Sequence, residues 1–282
     1  MEISAADVKK LRDITGAGPL ECKKALIDCG GDFSKAEKSL KEKGLAAVEK
    51  RADRATNEGK IFIKVKGSSA VLVELATETD FVARNPDFIT LGGIIADRIL
   101  EKGYTAPNDE LNGMVTELAT KIRENMGLKR FTVVTAKPNE YLTQYIHGDG
   151  AIGVVVKLSA DKAEVFQKEE VKALAFNLAL HIAAFNPMAL DRSKIDPAFL
   201  KEQEDIFRKQ MAADEKLAGK PANVIDNILK GKINKYLSDV CLLEQGYVKE
   251  EKFTVTQILA DTGKQQGATL SIADYVYFKV GQ

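Results

Sequence analysis

The sequence has 282 residues, of which 45% are hydrophobic and 29% are charged, as in an ordinary globular protein. Basic and acidic residues both total 41, and this balance argues against a dedicated nucleic-acid binder, which usually carries a basic excess. No apolar run approaches the roughly 18 residues of a membrane span, and the N-terminus lacks the apolar segment of a signal peptide. We therefore expect a soluble, cytoplasmic protein without a membrane partner.

The N-terminal region, residues 1–48, is predicted to fold as a small domain of three helices. The first helix carries apolar residues at three-residue steps, namely Val8, Leu11 and Ile14. Gly16-Ala17-Gly18 breaks this helix, and Pro19 suits the first turn of the next, which carries Leu20, Cys22, Ala25 and Leu26. Gly44 is predicted to close the third helix. Cys22 and Cys29 are expected to be small buried residues in a reducing compartment, since neither belongs to a metal-binding pair.

Residues 49–59 are polar, lack an apolar face and are predicted to form a linker. The pattern then changes to alternation, which predicts a core subdomain at 60–139. Its strands Lys60–Lys66 and Ala70–Leu75 flank a hairpin turn, two amphipathic helices follow, and the strand Arg130–Thr135 closes the unit.

The same order of elements recurs in residues 140–282, which we predict to be a second core subdomain. Strands Leu142–His147 and Ile152–Leu158 form a hairpin, the helix Val171–Ala184 follows, and the strand Tyr275–Val280 ends the chain. This repetition indicates an internal duplication of a small unit of antiparallel sheet plus helices.

The second unit is interrupted at about 197–240 by two amphipathic segments that predict a protruding helical hairpin. One interpretation is that its apolar residues serve self-association or another partner. The other is that the two stripes only pack on each other.

Enzyme chemistry is hard to find in this sequence. There is no phosphate-binding loop, no dinucleotide fingerprint and no nucleophile elbow. The two histidines, His147 and His181, are too far apart to form a helical metal pair. His181 lies on an apolar helix and is expected to be a hydrogen-bonded core residue. We predict neither an enzyme, nor a cofactor, nor a metal site.

The run Thr79-Asp80-Phe81-Val82 is the most informative motif, because it follows an apolar strand and precedes Asn85-Pro86, a typical helix start. An acid and an aromatic held between a strand and a helix can act as a wedge against another surface. The alternative is that Asp80 caps the coming helix and Phe81 turns into the core.

The first two helices also carry a basic set, Lys9, Arg12, Lys23 and Lys24. Because acids are interspersed among these residues, the usual interpretation is a solvated helix surface. His147 stands beside Gly148-Asp149-Gly150 at a hairpin tip, where it is expected to be exposed.

Several of these motifs, in this order, resemble signatures of the elongation factor Ts family. They are Val8–Leu26, Glu78–Asn85, Ile146-His147-Gly148 with Ile152-Gly153-Val154, and His181–Ala184. The resemblance implies an α+β fold: a ubiquitin-associated-like three-helix domain, then two related antiparallel-sheet-plus-helix subdomains, the second with a helical hairpin.

The resemblance also implies a guanine nucleotide exchange factor of protein biosynthesis, whose partner is elongation factor Tu, GDP-bound or nucleotide-free. Asp80 and Phe81, flanked by Thr79 and Val82, would disturb the partner's Mg²⁺ and phosphate site, while Arg12, Lys23 and His147 would add contacts. Such a factor makes no covalent bond itself.

The sequence departs from the family pattern at three places. Ala76-Thr77 replaces a frequent Asn-Cys, Arg123 stands where a contact loop has glycine, and Ala151 replaces a frequent arginine. These departures leave the finer contacts open.

Two rival interpretations remain. One is an RNA-binding or interaction module of translation that uses the basic N-terminal helices and is indifferent to Phe81. The other is an enzyme that uses His147 with Asp149, which would require an enclosed pocket around His147.

Overall fold

The computed structural model describes residues 3–217 and 219–282, and its mixture of helices and small antiparallel sheets confirms the predicted α+β class. Up to Thr135 the elements are α1 (Ala5–Thr15), α2 (Pro19–Asp28), α3 (Phe33–Glu49), β1 (Glu58–Lys66), β2 (Ser69–Thr77), α4 (Asp80–Ala83), α5 (Pro86–Lys102), α6 (Asp109–Ile122) and β3 (Met126–Thr135). The later elements are β4 (Glu140–His147), β5 (Ile152–Ala160), α7 (Glu169–Phe185), α8 (Pro197–Ala212), α9 (Ala222–Val240), β6 (Gly246–Tyr247), β7 (Glu250–Thr254), α10 (Val255–Gln266) and β8 (Leu270–Lys279).

By its internal contacts the chain divides into two compact units. The first unit contains the chain up to Thr135 together with Ile146–Gly153 and Phe278–Gln282. The second unit contains Ala136–Tyr145 and Val154–Tyr277.

The three N-terminal helices bury a small core of their own. The Ser4 hydroxyl accepts a hydrogen bond from the Asp7 amide at 3.1 Å and caps α1, and Pro19 occupies the first turn of α2. The buried residues of this core include Leu11, Cys22, Ala25, Leu26 and Leu40. Leu20 is not among them, because 83% of it is exposed.

The prediction that Gly44 closes the third helix is wrong, because α3 continues through it to Glu49. A Cβ at Gly44 would lie 2.2 Å from Cγ2 of Thr120 on α6. The glycine therefore allows a close crossing of α3 and α6 instead of ending the helix.

All three cysteines are free thiols. Cys22 is fully buried, and its Sγ lies 3.5 Å from the Ala17 carbonyl oxygen. Cys29 is only half-buried, at the end of α2, so the expected burial is found at Cys22 and not fully at Cys29.

The first sheet has the antiparallel order β1-β2-β3, and its central strand β2 is buried from Ala70 to Thr77. Helices α5 and α6 cover this sheet, and their fully buried side chains include Phe88, Ile95, Ile99 and Leu111. A continuous apolar run is expected of a central strand that is covered on both faces. This covered strand provides a firm base for the residues that follow Thr77.

The second sheet has the order β4-β5-β8 and thus repeats the arrangement of the first. In each case a hairpin contributes two strands, helices follow, and a later strand pairs with the second strand of the hairpin. The repetition supports the predicted duplication.

His181 on α7 is fully buried and hydrogen-bonded, as predicted. Its Nδ1 accepts a hydrogen bond from the Val248 amide at 3.2 Å, so Nε2 carries the hydrogen and donates to Oε1 of Gln245 at 2.9 Å. Burial lowers the pKa of His181 below its ordinary value of 6.5, only partly opposed by the Gln245 bond.

Helices α8 and α9 form the expected helical hairpin, and their apolar stripes face each other. The rings of Phe207 and Tyr236 meet edge to face with centroids 5.9 Å apart, and Met211 and Leu229 are buried. Within the described parts of these two helices, Ile206 is the large apolar side chain that remains exposed. This packing favours the second interpretation of the stripes, while self-association stays a prediction.

Over the residues that the structure describes, no helix combines the length and the apolar character needed to cross a membrane.

Candidate partner-binding site

The Thr79–Val82 turn joins the buried strand β2 to the first turn of a new helix. Thr79 is extended, and its hydroxyl accepts a hydrogen bond from the Val82 amide at 3.3 Å, so that Thr79 caps α4. Only two residues separate α4 from α5, whose cap is Asn85 with Pro86 in its first turn. Two caps within seven residues fix the backbone of this corner.

Glu124 holds the same corner from the side. Its carboxylate accepts hydrogen bonds from the Thr77 hydroxyl at 3.0 Å, the Thr79 amide at 3.1 Å and the Thr79 hydroxyl at 2.7 Å. The Asn125 amide donates in turn to Glu78 at 2.6 Å. The loop after α6 therefore anchors the turn, a role that was not predicted from the sequence.

Arg123 begins this loop, at a position where the resemblance led us to expect glycine. Its φ is 69°, in the left-handed region that favours glycine, and it ends α6 there. The Arg123 guanidinium forms an ion pair with Glu21. The loop therefore begins with a residue in a glycine-favouring conformation that an ion pair ties to α2.

The four residues of the turn divide into supporting and exposed ones. Val82 and its neighbour Ala83 are buried, whereas 83% of Phe81 is exposed. The Asp80 side chain is half exposed and pairs with Arg84, with a distance of 3.3 Å between the carboxylate and a guanidinium nitrogen. The alternative in which Asp80 caps the helix and Phe81 enters the core is therefore wrong, because Thr79 is the cap and Phe81 points outward.

His147 is exposed at the end of β4, and the loop that follows it is tied down. Asp149 has a φ of 56° and receives the buried ammonium group of Lys60, at 2.6 Å from its carbonyl oxygen and 2.7 Å from its carboxylate. A buried lysine needs such acceptors, and a non-glycine residue at positive φ needs support. Lys60 supplies that support, although it lies 89 positions away in the sequence.

The Asp149 loop and the Asp80-Phe81 turn have a charged neighbour in common, Arg84. The Lys60 hydrogen bond is the main cause that lowers the pKa of Asp149, and Arg84 lies close enough to lower it further. Because Arg84 also pairs with Asp80, the structure brings the Asp80-Phe81 turn and the His147 loop to one side of the first unit. The carboxylate of Asp149 is bound by Lys60 and His147 is exposed, which does not match the enclosed pocket required by the enzyme interpretation.

Arg12 and Lys23 lie on α1 and α2, and both are exposed. Among the described residues, no ion pair joins Arg12 or Lys23 to Asp80, and the carboxylate of Asp80 pairs with Arg84 instead. Lys23 has two apolar neighbours on its helix face, Leu20 and Ile27, which are 83% and 57% exposed. Neither Leu20 nor Ile27 was predicted from the sequence as an exposed residue beside Lys23. Their spacing of seven residues, with Lys23 between them, places all three on one face of α2 and could have indicated this.

No group of three or more histidine, cysteine, aspartate or glutamate side chains among the described residues is arranged to hold a metal ion.

Comparison with known proteins gives consistent matches. The family described as "Elongation factor TS" matches residues 78–282, a range that contains Thr79–Val82 and His147. A protein named "Elongation factor Ts" from Treponema denticola is 50% identical over 281 residues, covering 100% of this chain and 99% of the relative. Proteins of the same name from Treponema pallidum (42%) and Borrelia hermsii (40%) also cover the whole chain and 99% and 100% of their own lengths.

The fold and these matches together place the chain among the translation elongation factors. It belongs to the elongation factor Ts family.

Proposed function

We propose that this chain is a guanine nucleotide exchange factor that binds elongation factor Tu carrying GDP and promotes GDP release, so that GTP can bind during elongation. The observation that carries the proposal is Phe81, which is 83% exposed on a backbone fixed by two helix caps and by Glu124. A large aromatic on a rigid support loses little conformational entropy on binding and is typical of an interface anchor.

Phe81 would enter an apolar slot between helices of the partner, and Asp80 would approach the region that holds Mg²⁺ and the phosphates. Burial of a Phe side chain is worth about 1.5–3 kcal/mol, or roughly tenfold to hundredfold in an equilibrium. Mg²⁺ requires near-ideal octahedral geometry, so a small shift of its surroundings weakens the bond to the β-phosphate. Thr79 and Val82 would act as supports, because one caps α4 and the other is buried beneath it.

Further contacts would supply the remaining binding energy. His147 lies on the same side of the first unit as Asp80, and its loop is held by Lys60. Arg12 and Lys23 would contribute a second contact, to which the exposed side chains of Leu20 and Ile27 add apolar area. By linkage the exchange factor and GDP would weaken each other's binding to the same extent. The chain itself would make and break no covalent bond.

The function is tested with elongation factor Tu loaded with a fluorescent GDP analogue and mixed with excess GTP. The chain is added in substoichiometric amounts. We expect the release rate to rise in proportion to the added chain, with many GDP molecules released per molecule of chain and no hydrolysis of GTP by the chain alone.

An unchanged release rate at all concentrations would contradict the proposal. If the chain instead bound RNA tightly, with an affinity that falls steeply with salt, the RNA-binding interpretation would replace it.

A further inference from the structure

A second feature of the first unit is a cavity of about 340 Å³ bordered by α2, α3, the turn after α3 and the end of α6. Its charged lining consists of four basic side chains and one carboxylate, an excess of three positive charges. The basic residues are Lys24, Lys43, Arg51 and Arg123, and the acid is Glu21. This local excess contrasts with the net charge of zero of the whole chain.

The one carboxylate is already engaged. Glu21 accepts a hydrogen bond from the Gly18 amide at 2.8 Å and forms an ion pair with Arg123. The hydrogen bond from Arg123 is the main cause that lowers the pKa of Glu21, followed by the Gly18 amide, so Glu21 stays ionised at neutral pH. Arg123 is thus already paired with Glu21, and Lys43 lies close enough for its charge to lower the pKa of Glu21 further, without forming an ion pair with it.

The other three cations have no acidic partner of their own. No ion pair to Lys24, Lys43 or Arg51 occurs within the described ranges. The Nε of Arg51 is buried and has no hydrogen-bond acceptor. A buried guanidinium N–H without an acceptor is unfavourable, and the charge of Arg51 is not compensated within the described part of the protein.

The neutral part of the lining indicates the size and kind of anion that would suit the cavity. The hydroxyls of Thr15 and Thr120 donate within their own helices, to Leu11 at 2.7 Å and to Thr116 at 2.9 Å, so they are already used. The remaining lining residues are small or aliphatic and offer no aromatic ring on which a base would stack. The cavity volume exceeds what one phosphate group requires and lies in the range of small-ligand sites.

We propose that this cavity binds a diphosphate group, with Arg51, Lys24 and Lys43 balancing its charge. Arginine suits such a role because its donors match phosphate oxygens, and charge-assisted hydrogen bonds are the stronger ones. The bound anion would relieve repulsion between α2, α3 and the turn after α3, and would stabilise their packing on α6. This site is independent of the proposed exchange function, because it requires neither Phe81 nor the partner.

The test is isothermal titration of the full chain with inorganic pyrophosphate at constant ionic strength, followed by the same titration with GDP. The variants are Arg51→Gln and Lys43→Gln, with Lys38→Gln as a control that removes the same charge from an exposed position on α3. We expect one saturable site in the native chain, about tenfold weaker binding in both cavity variants, and unchanged binding in the control.

Absence of saturable binding to the native chain, or equal binding by all variants, would overturn the proposal. If circular dichroism shows that Arg51→Gln does not fold, Lys43→Gln decides, since its side chain is exposed. GDP binding with the affinity of pyrophosphate would support recognition of the diphosphate group. Binding of GDP without binding of pyrophosphate would contradict it.

Discussion

The two sheets of this protein have the same strand order, yet the corners that follow their middle strands differ. After β2 the chain enters α4, and its aromatic residue Phe81 is 83% exposed. After β5 it enters a single 3-10 turn, Ala163–Gln167, whose aromatic residue Phe166 is only 6% exposed. Phe166 stacks on Tyr141 with ring centroids 5.6 Å apart.

This difference shows that the fold does not force an aromatic outward at this position. The second corner uses its phenylalanine to complete a core, which is the usual role of a large apolar side chain. The first corner obtains its order from polar bonds, through Thr79 and Glu124, and leaves its phenylalanine in solvent. The exposed aromatic at the first corner is therefore consistent with the partner-binding role proposed for Phe81.

The largest expected effect is on stability at the second corner. Phe166→Ala removes a buried ring and is expected to lower the free energy of unfolding by about 3–5 kcal/mol. Phe81→Ala removes an exposed ring and is expected to change it by less than about 0.5 kcal/mol. Urea denaturation followed by circular dichroism measures both. Equal losses in the two variants would show that Phe81 is part of a core.

The polar anchor of the first corner should matter next. In Glu124→Ala the Thr77 hydroxyl and both donors of Thr79 lose their acceptor. We expect a loss of about 1–3 kcal/mol in stability, together with faster amide exchange at Val82. Glu42→Ala, which removes an exposed carboxylate from α3, is the matched control. An equally small effect in both variants would mean that Glu124 does not hold the turn.

The His147 loop should depend on Lys60. Lys60→Met keeps the buried aliphatic part of the side chain but removes the bonds to Asp149. We expect the ordered conformation of the His147 loop to be destabilised by about 1–2 kcal/mol, which lowers its population relative to disordered conformations by roughly a factor of 5–30. We expect GDP exchange to slow, with little further loss when His147→Ala is added, because both changes affect one contact. Lys66→Met, which removes an exposed lysine of the same strand, serves as the control. Fully additive losses would separate Lys60 from His147.

The smallest effect should be a pH dependence that arises in the second unit. The folded pKa of His181 lies below its ordinary value of 6.5, so the unfolded chain binds more protons there when the pH falls below about 6.5. Stability should therefore fall as the pH falls through that range, by at most about 1.4 kcal/mol per pH unit from this residue. His181→Gln should flatten this slope in denaturation curves taken between pH 7.5 and pH 5.5. An unchanged slope in the variant would assign the dependence to other groups.

Much of the architecture was predictable because it depends on local patterns. Alternating residues predicted the hairpins, and the Thr79–Asn85 run predicted a corner between a strand and a helix but left open whether Phe81 is exposed or buried. The prediction for Gly44 was wrong because this position needs a glycine to avoid a clash with Thr120, which belongs to another helix.

The contacts that hold the candidate site in place were the hardest feature to predict from the sequence. Glu124 and Lys60 each act on residues 45 or more positions away, and neither contact leaves a periodic pattern. The exposure of Leu20 was not predictable either, because amphipathic spacing alone does not separate a buried apolar residue from an exposed one.

The most direct test of the central claim is stopped-flow release of a fluorescent GDP analogue from elongation factor Tu by the native chain, Phe81→Ala and Val65→Ala. Val65 is also an exposed apolar residue, but it lies near the turn of the β1–β2 hairpin, where it pairs with Ala70. Thr77 lies at the other end of this hairpin. We predict rapid release with the native chain and Val65→Ala, and release that is about tenfold to hundredfold less efficient with Phe81→Ala. Equal release by all three chains would contradict the proposed role of Phe81. No acceleration of release by any of them would contradict the exchange function itself.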